Sequence, residues 1–426
     1  ANGEVEVVFT FDASGLEGKT VVAFETLTRE DALVATHADI TDADQSIHFV
    51  NLGTTALAGN GLHETQVPND EDKTVTLTDT VAYENVIPGH TYTVSGILHI
   101  QDTDEDGNIV DGGAIQDADG NDLVATTTFT PVTANGTVDV TFTFDASELD
   151  GKTVVAFETL SMDGITVATH ADITDEAQSV NFATLHTTAL AENGTHMTQV
   201  PSVDGETVTI TDTVAYTNLI PGATYKVSGT LHIQDVGEDG NIIDGGAVQG
   251  TNLVPVTDET SDEETSEEVT SDEDAAVSEE TPAAEVTEEA TGETSEDDSN
   301  LVEESSDLVA ETVFTAEKAD GTVDVTFTFD ASELDGKTVV AFETLTRDDK
   351  VVATHADITD EEQSVNFVRL RTRALVDGEH EMTLSDGDNK VTITDLVEYK
   401  NLIPGLEYTV SGTLHVRNTN EAGVVT

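Results

Sequence analysis

The chain has 426 residues, with 15 Lys and Arg against 86 Asp and Glu, a formal charge of −71, and neither cysteine nor tryptophan. A polyanion of this density repels phosphate backbones and anionic headgroups, which excludes nucleic-acid binding and electrostatic membrane association. Disulfides and thiolate metal sites are impossible, no apolar run is long enough to span a bilayer, and the length calls for two or three cores rather than one.

Taken in chain order, the sequence opens inside what reads as a strand, without the basic and apolar regions of a targeting signal. GKTVVAFETL then stands at 18–27, 151–160 and 336–345, each copy followed by VATHADITD and a Gln-Ser. A second block, TDTVAYxNxIPGxxYxVSGxLH, fills 78–99 and 211–232 and returns as TDLVEYKNLIPGLEYTVSGTLH at 394–415. The order is half, whole, whole, half. It divides the chain into 1–53 (the second half of a repeat), 54–186 and 187–371 (complete repeats) and 372–426 (the first half of a further repeat).

Thr54 and Thr187 lie 133 residues apart, Thr187 and Thr372 lie 185 apart, and the surplus of 52 falls between Gln249 and Asp307. The flanks place it there, because GGAIQ before Asp117 matches GGAVQ, and DLVA recurs at Asp122 and Asp307. Between Asp258 and Asp307 stand 22 acids and no base, leaving −49 on the remainder. Such a tract buries too little to offset its ordering entropy, so about 250–306 is expected to be a disordered acidic insertion.

A period of this length is that of a domain and not of a solenoid. Within each repeat, TVDVTFTFDAS alternates Val and Phe on one face with Thr and Asp on the other, and turns such as IPG, LDGK and EDGN recur at short intervals. The expected fold is all-β: tandem immunoglobulin-like β-sandwich domains carrying one long insertion.

In TVVAFETL, Glu158 shares the strand face of Val154 and Ala156, an expensive place for an acid unless it is protonated or paired. Its copies are Glu25 and Glu343; a solvated edge-strand face is the plainer explanation. Twelve residues later come His37, His170 and His355, and eight beyond these Gln45, Gln178 and Gln363. Alone, such a His is usually structural. Thr54 and Thr187 open TTAL, with Thr372 in the matching place of RTRAL, and Asp79, Asp212 and Asp395 precede TVAY or LVEY, where a turn-capping role would be ordinary.

These motifs in this order resemble the VaFE-repeat, or T-Q ester-bond, domains of Gram-positive surface adhesins. The resemblance spans everything except the acidic tract. It implies that a Thr and a Gln in each domain fuse into an intramolecular ester with loss of ammonia, assisted by Asp, Glu and His. On that basis Thr54 pairs with Gln178, helped by Asp79, Glu158 and His170, and Thr187 pairs with Gln363, helped by Asp212, Glu343 and His355. The separations agree: 124 residues, and 176 that becomes 124 without the surplus. Glu25, His37 and Gln45, and at the other end Thr372 and Asp395, form incomplete sites expected to be inert. A Thr hydroxyl needs a base, for which His is the natural candidate, and a neutral acid can help ammonia leave.

Asp102, Asp104 and Asp106 with Gly107 spell the start of a calcium loop, but the later copies lack the set and no Glu closes it, so a hairpin turn is the better reading. The sets at His63–Gln66 and His196–Gln199 are not kept in the last copy and read as surface strand. No cofactor is called for. The expected role is the stalk of a secreted, wall-attached adhesin, its partners being neighbouring repeats and a host ligand met through a separate tip domain. The alternatives are a module that binds host matrix or glycans directly, and a carbohydrate-active enzyme.

Overall fold

The computed structural model describes residues 2–203, 205–255, 301–384, 387 and 390–417. It is all-β, with short 3-10 turns and no α-helix among the described residues. Residues 1–248 and 309–426 form one unit and 249–308 another.

The first complete repeat is a sandwich of two sheets. The smaller has Thr74–Glu84 at its centre, between Asn51–Ala58 and Gly136–Asp145. The larger runs Val124–Phe129, Tyr92–Thr103, Thr153–Met162, Ser179–Phe182, Glu64–Thr65, with Ile109–Ala114 and Ile165–His170 as additional partners. Alternation sets each strand's face: in TVTLTDTVAYE, Val75, Leu77, Asp79, Val81 and Tyr83 are buried and the residues between them are not. Phe142, Tyr92, Leu98, Leu160 and Phe182 fill the core between the sheets. Gly96 faces Glu158 across the strands, and a Cβ there would lie 2.6 Å from the Phe142 ring, so only glycine lets that ring close the core.

The second complete repeat repeats this plan. Val208–Thr217 lies between Thr184–Ala191 and Gly321–Phe329, facing a sheet built on Thr224–Val236 and Thr338–Arg347. The point of insertion is visible in the pairing. In the first repeat a bridge between Gln116 and Asp122 closes a tight turn, and in the second the matching Gln249 and Asp307 begin an antiparallel ladder, Gln249–Pro255 with Leu301–Asp307. The ends of the tract, expected to lack structure from about 250 to 306, are therefore strand, 249–255 paired with 301–307. Residues 256–300, with most of its acids, lie outside the described residues.

The flanking segments are less buried. In 2–49, Thr20–Val22 pairs with Ser46–His48 and Glu25–Arg29 with Ala32–His37; in 368–417, Arg369–Leu375 pairs with Thr394–Lys400. Val5 and Leu414 are more than 80% exposed.

Candidate functional site

The smaller sheet presents Thr54 and Asp79. Its register sets Ala56 opposite Asp79 and Thr54 opposite Val81, so Thr54 and Asp79 are diagonal neighbours on the inward face. From the larger sheet comes Glu158, whose strand lies between Tyr92–Thr103 and Ile165–His170, with Glu158 directly opposite His170. It is a central strand, and Glu158 is 1% exposed, so the edge-strand explanation fails. Asp79 likewise sits in mid-strand, 1% exposed, and caps no turn.

Gln178 ends the 3-10 turn Glu176–Gln178, which follows the His-bearing strand. Asp175 caps that turn, accepting a hydrogen bond from the Ala177 backbone N–H at 2.9 Å, while its other oxygen lies 2.9 Å from Nε2 of His170. One carboxylate thus fixes both the turn that delivers Gln178 and the ring of His170. The fully buried Gln178 donates from Nε2 to Glu158 Oε2 at 2.8 Å.

The second repeat builds the same constellation. Ala189 faces Asp212, Thr187 faces Val214 and Glu343 faces His355. Gln363 Nε2 donates to Glu343 Oε2 at 2.9 Å and also to Thr187 Oγ1 at 2.7 Å. Asp360 caps the turn before Gln363, accepting from the Glu362 N–H at 2.9 Å, and lies 3.0 Å from His355 Nε2. Thr187, Asp212, Glu343 and Gln363 are all at most 2% exposed.

Two carboxyls facing each other in a site closed to solvent cannot both be ionised. Burial, reinforced by the hydrogen bond and the charge of Asp79, pushes Glu158 up to about 10; burial and Asp212 push Glu343 up to about 11. Burial also raises Asp79 and Asp212, against the pull of the neighbouring Glu, His and Thr side chains. Each dyad therefore holds a proton through neutral pH and titrates as a pair. That proton also supplies a donor to a cluster rich in acceptors: apart from it, both Asp79 oxygens, Glu158 Oε1 and Gln178 Oε1 are buried with no hydrogen-bond partner in the protein, as is Thr54 Oγ1.

The five residues expected to act together are therefore adjacent in both complete repeats. The His, expected as the natural candidate for the base on Thr, has Asp175 or Asp360 as its hydrogen-bond partner and a side chain about a quarter exposed. Beside the Thr hydroxyl stand the two acids and, in the second repeat, Gln363 Nε2. Asp175 and Asp360 were not singled out from sequence, although they stand at a fixed five residues after each His.

In the flanking segments the same pieces are separate. Gln45 Nε2 donates to Glu25 Oε2 at 2.7 Å and His37 lies 3.0 Å from Asp42, while Thr372 and Asp395 sit on paired strands in the usual register but exposed. Asp104, of the calcium-like motif, is engaged as a turn acceptor for the N–H groups of Asp106 and Asn108 at 2.9 and 2.8 Å, and Asp102 accepts from the Thr103 N–H. Among the described residues no cluster of His, Asp and Glu is arranged to hold a metal.

Among solved structures, a bacterial adhesin from Mobiluncus mulieris containing intramolecular disulfide, isopeptide and ester bond cross-links is 14% identical over 82% of this chain and 97% of its own, with a TM-score of 0.25. Bacteroides uniformis β-glucuronidase 2 is 9% identical over 70% of this chain and 27% of its own, with a TM-score of 0.18. Scores this low carry no inference about fold or activity. Among curated proteins none matches the chain. The sequence profile of one family, described as the T-Q ester bond containing domain, matches four consecutive segments, 1–49, 50–182, 183–367 and 368–426. With the profile matched from end to end, twice around a buried Thr, Asp, Glu and Gln and a half-buried His, the chain belongs to the T-Q ester bond containing domain family.

Proposed function

We propose that each complete repeat cross-links itself once, through an ester from Thr54 Oγ to the side-chain carbonyl carbon of Gln178 and from Thr187 Oγ to that of Gln363. The observation that carries this reading is a pair of buried acids beside the Thr, with the Glu accepting from the Gln amide, built twice. Oγ attacks the carboxamide carbon and gives its proton to the acid pair; the pair returns a proton to the amide nitrogen, which leaves as ammonia as the C–N bond breaks. Thr O–H and Gln C–N are exchanged for an ester C–O bond and ammonia, so no external reactant is needed. Folding provides the proximity, and each site reacts once.

A covalent link between the strand that opens a repeat and the turn near its end carries tension without loading the sheets' hydrogen bonds. In a chain without cysteine and with few lysines, such esters take the place of disulfides and isopeptides. We read the tandem array as a load-bearing stalk of an extracellular, wall-attached adhesin, with ligand contact made elsewhere in the parent protein. Intact-mass spectrometry of the folded protein tests the chemistry. The expected deficit is two ammonias, one restored by Thr54→Ala and the other by Thr187→Ala; a full calculated mass in the folded wild type overturns it.

A further inference from the structure

Consecutive segments of this chain share one recurring contact. Asn85, Asn218 and Asn401, each at a positive φ of 60 to 67°, donate from Nδ2 to the backbone carbonyls of Lys19, Lys152 and Lys337 of the preceding segment at 2.7 to 2.8 Å. This hook is the same at every junction, so it cannot tell one neighbour from another.

Between the two complete repeats there is a second contact that is not generic. The stretch 60–69 of the first repeat lies against Arg347 and the strand Lys350–His355 of the second. Asn60 Nδ2 donates to the Val351 carbonyl at 2.8 Å, Lys350 Nζ to the Gly61 carbonyl at 3.0 Å, and Gln66 Nε2 to Thr354 Oγ1 at 3.2 Å. At its centre is Glu64, with no solvent exposure. Its Oε2 lies 2.7 Å from Nη1 of Arg347, itself mostly buried, and its Oε1 accepts from the Ile220 N–H at 2.7 Å and from the Tyr225 hydroxyl. This is the HETQ stretch expected to be surface strand; its burial comes from the other repeat, which local sequence does not reveal.

The repeat alignment shows how specific the contact is. The positions matching Glu64 hold Met197 and Met382, and those matching Arg347 hold Arg29 and Met162. Where Met197 stands, the tyrosine that matches Tyr225, Tyr408, places its hydroxyl 3.4 Å from the Met197 sulfur. A buried carboxylate is tolerated only with its cation and its hydrogen bonds. Docking the first repeat on a surface with Met162 in place of Arg347 would leave Glu64 buried without a counter-charge, and docking a Met197 edge against Arg347 would strand the guanidinium. Both wrong pairings are penalised while the right one is satisfied, and discrimination between otherwise similar partners works in this way.

We propose that Glu64 and Arg347 are a matched pair that favours an Arg-bearing over a Met162-bearing surface as the neighbour on which the first repeat docks, and holds the two complete repeats in a single orientation. The pairing is independent of the esters, since neither residue belongs to either cross-linking site.

The test uses the full chain, whose lack of cysteine allows nitroxides to be placed at Thr141→Cys and Thr326→Cys, exposed positions on the two repeats. Pulsed dipolar spectroscopy should give one narrow distance in the parent. Glu64→Gln and Arg347→Met should each broaden it, and the double variant Glu64→Met, Arg347→Met, which replaces the ion pair by the residue found at the matching positions, should recover a narrow distribution. The deficit from each variant's own calculated mass should remain two ammonias throughout, which separates this result from any failure of ester formation. Unchanged widths in both single variants overturn the proposal, as does a double variant broader than either single, because the two side chains would then act separately.

Discussion

Residues 2–49 and the two complete repeats carry the same Glu, His and Gln in nearly the same local arrangement. The Gln-to-Glu hydrogen bond is 2.7 Å in the flanking segment and 2.8 and 2.9 Å in the repeats, and the His-to-Asp distance is 3.0 Å against 2.9 and 3.0 Å. The difference lies above them. In the repeats a three-stranded sheet brings in a second acid and a hydroxyl and excludes water, whereas around Glu25 the strands form only two-stranded sheets and the pocket beside Gln45 is open and lined by Phe9, Phe11 and Phe49. Local sequence therefore assembles half of the site, and the opposing sheet supplies the burial and the second acid that raise Glu158 and Glu343. The 368–417 segment makes the same point from the other side: Thr372 and Asp395 keep their register yet remain exposed.

Removing the cross-link from a complete repeat is the largest change that can be made to this comparison. Thr187→Ala should lower the stability of the second repeat by about 4 to 5 kcal/mol if the ester constrains the unfolded chain as a disulfide closing a loop of that length does. Thr54→Ala should cost the first repeat nearly as much, because loop length enters only as a logarithm. Denaturant unfolding of each variant against the parent measures both losses, and a repeat whose midpoint is unmoved would show that no link had formed there.

The next effect depends on pH. In Thr54→Ala the acid pair remains buried and unlinked, and Glu158 holds its proton up to about 10 in the folded state, while in the unfolded chain it releases it in the ordinary carboxylate range. Between those limits the folded state binds more protons than the unfolded one, so stability falls as pH rises, on the order of a few kcal/mol from acid to alkaline conditions. Glu158→Gln in the same background should leave a shallower profile, since only Asp79, raised by burial, then holds a proton. Thermal unfolding across that pH range distinguishes the two; a profile that rises with pH would mean the acids are ionised and paired instead.

Much of this architecture is legible in the alternation of TVDVTFTFDAS and in the repeat spacing, because strand faces are a local property. The site was partly legible. Asp79 continues the inward series Val75, Leu77, Val81 and Tyr83, a pattern that already argues for burial, whereas the placement of Glu158 in a central strand depends on pairing with Tyr92–Thr103, far away in sequence. Asp175 escaped notice because an Asp in a turn has so many ordinary uses, and here it has two of them at once. The burial of Glu64 was beyond local reasoning altogether, since the residues that cover it belong to the next repeat.

Those two uses of Asp175 give a smaller, separable effect. Asp175→Ala removes the cap of the turn that presents Gln178 and frees the ring of His170, while leaving the acid pair in place. Loss of a cap of this kind costs about 1 kcal/mol. Ester formation in the first repeat should slow without being abolished, as followed by mass at intervals after refolding. Asp175→Asn, which keeps the cap acceptor but not the charge beside His170, separates the two contributions: recovery of the rate assigns the effect to the turn, and continued slowness assigns it to the His.

The smallest effect is expected in the flanking segment, where the comparison began. Gln45→Ala removes a side chain with the same partner and nearly the same hydrogen-bond length as Gln178, so local geometry alone would predict equal consequences. If the opposing sheet is what creates the chemistry, the mass deficit stays at two ammonias and the stability of the complete repeats changes by less than about 0.5 kcal/mol, as for a typical surface substitution. A smaller mass deficit in Gln45→Ala than in the parent would mean that Gln45 reacts, and burial beneath a Thr- and Asp-bearing sheet would then not be the condition that separates a reactive site from an inert one.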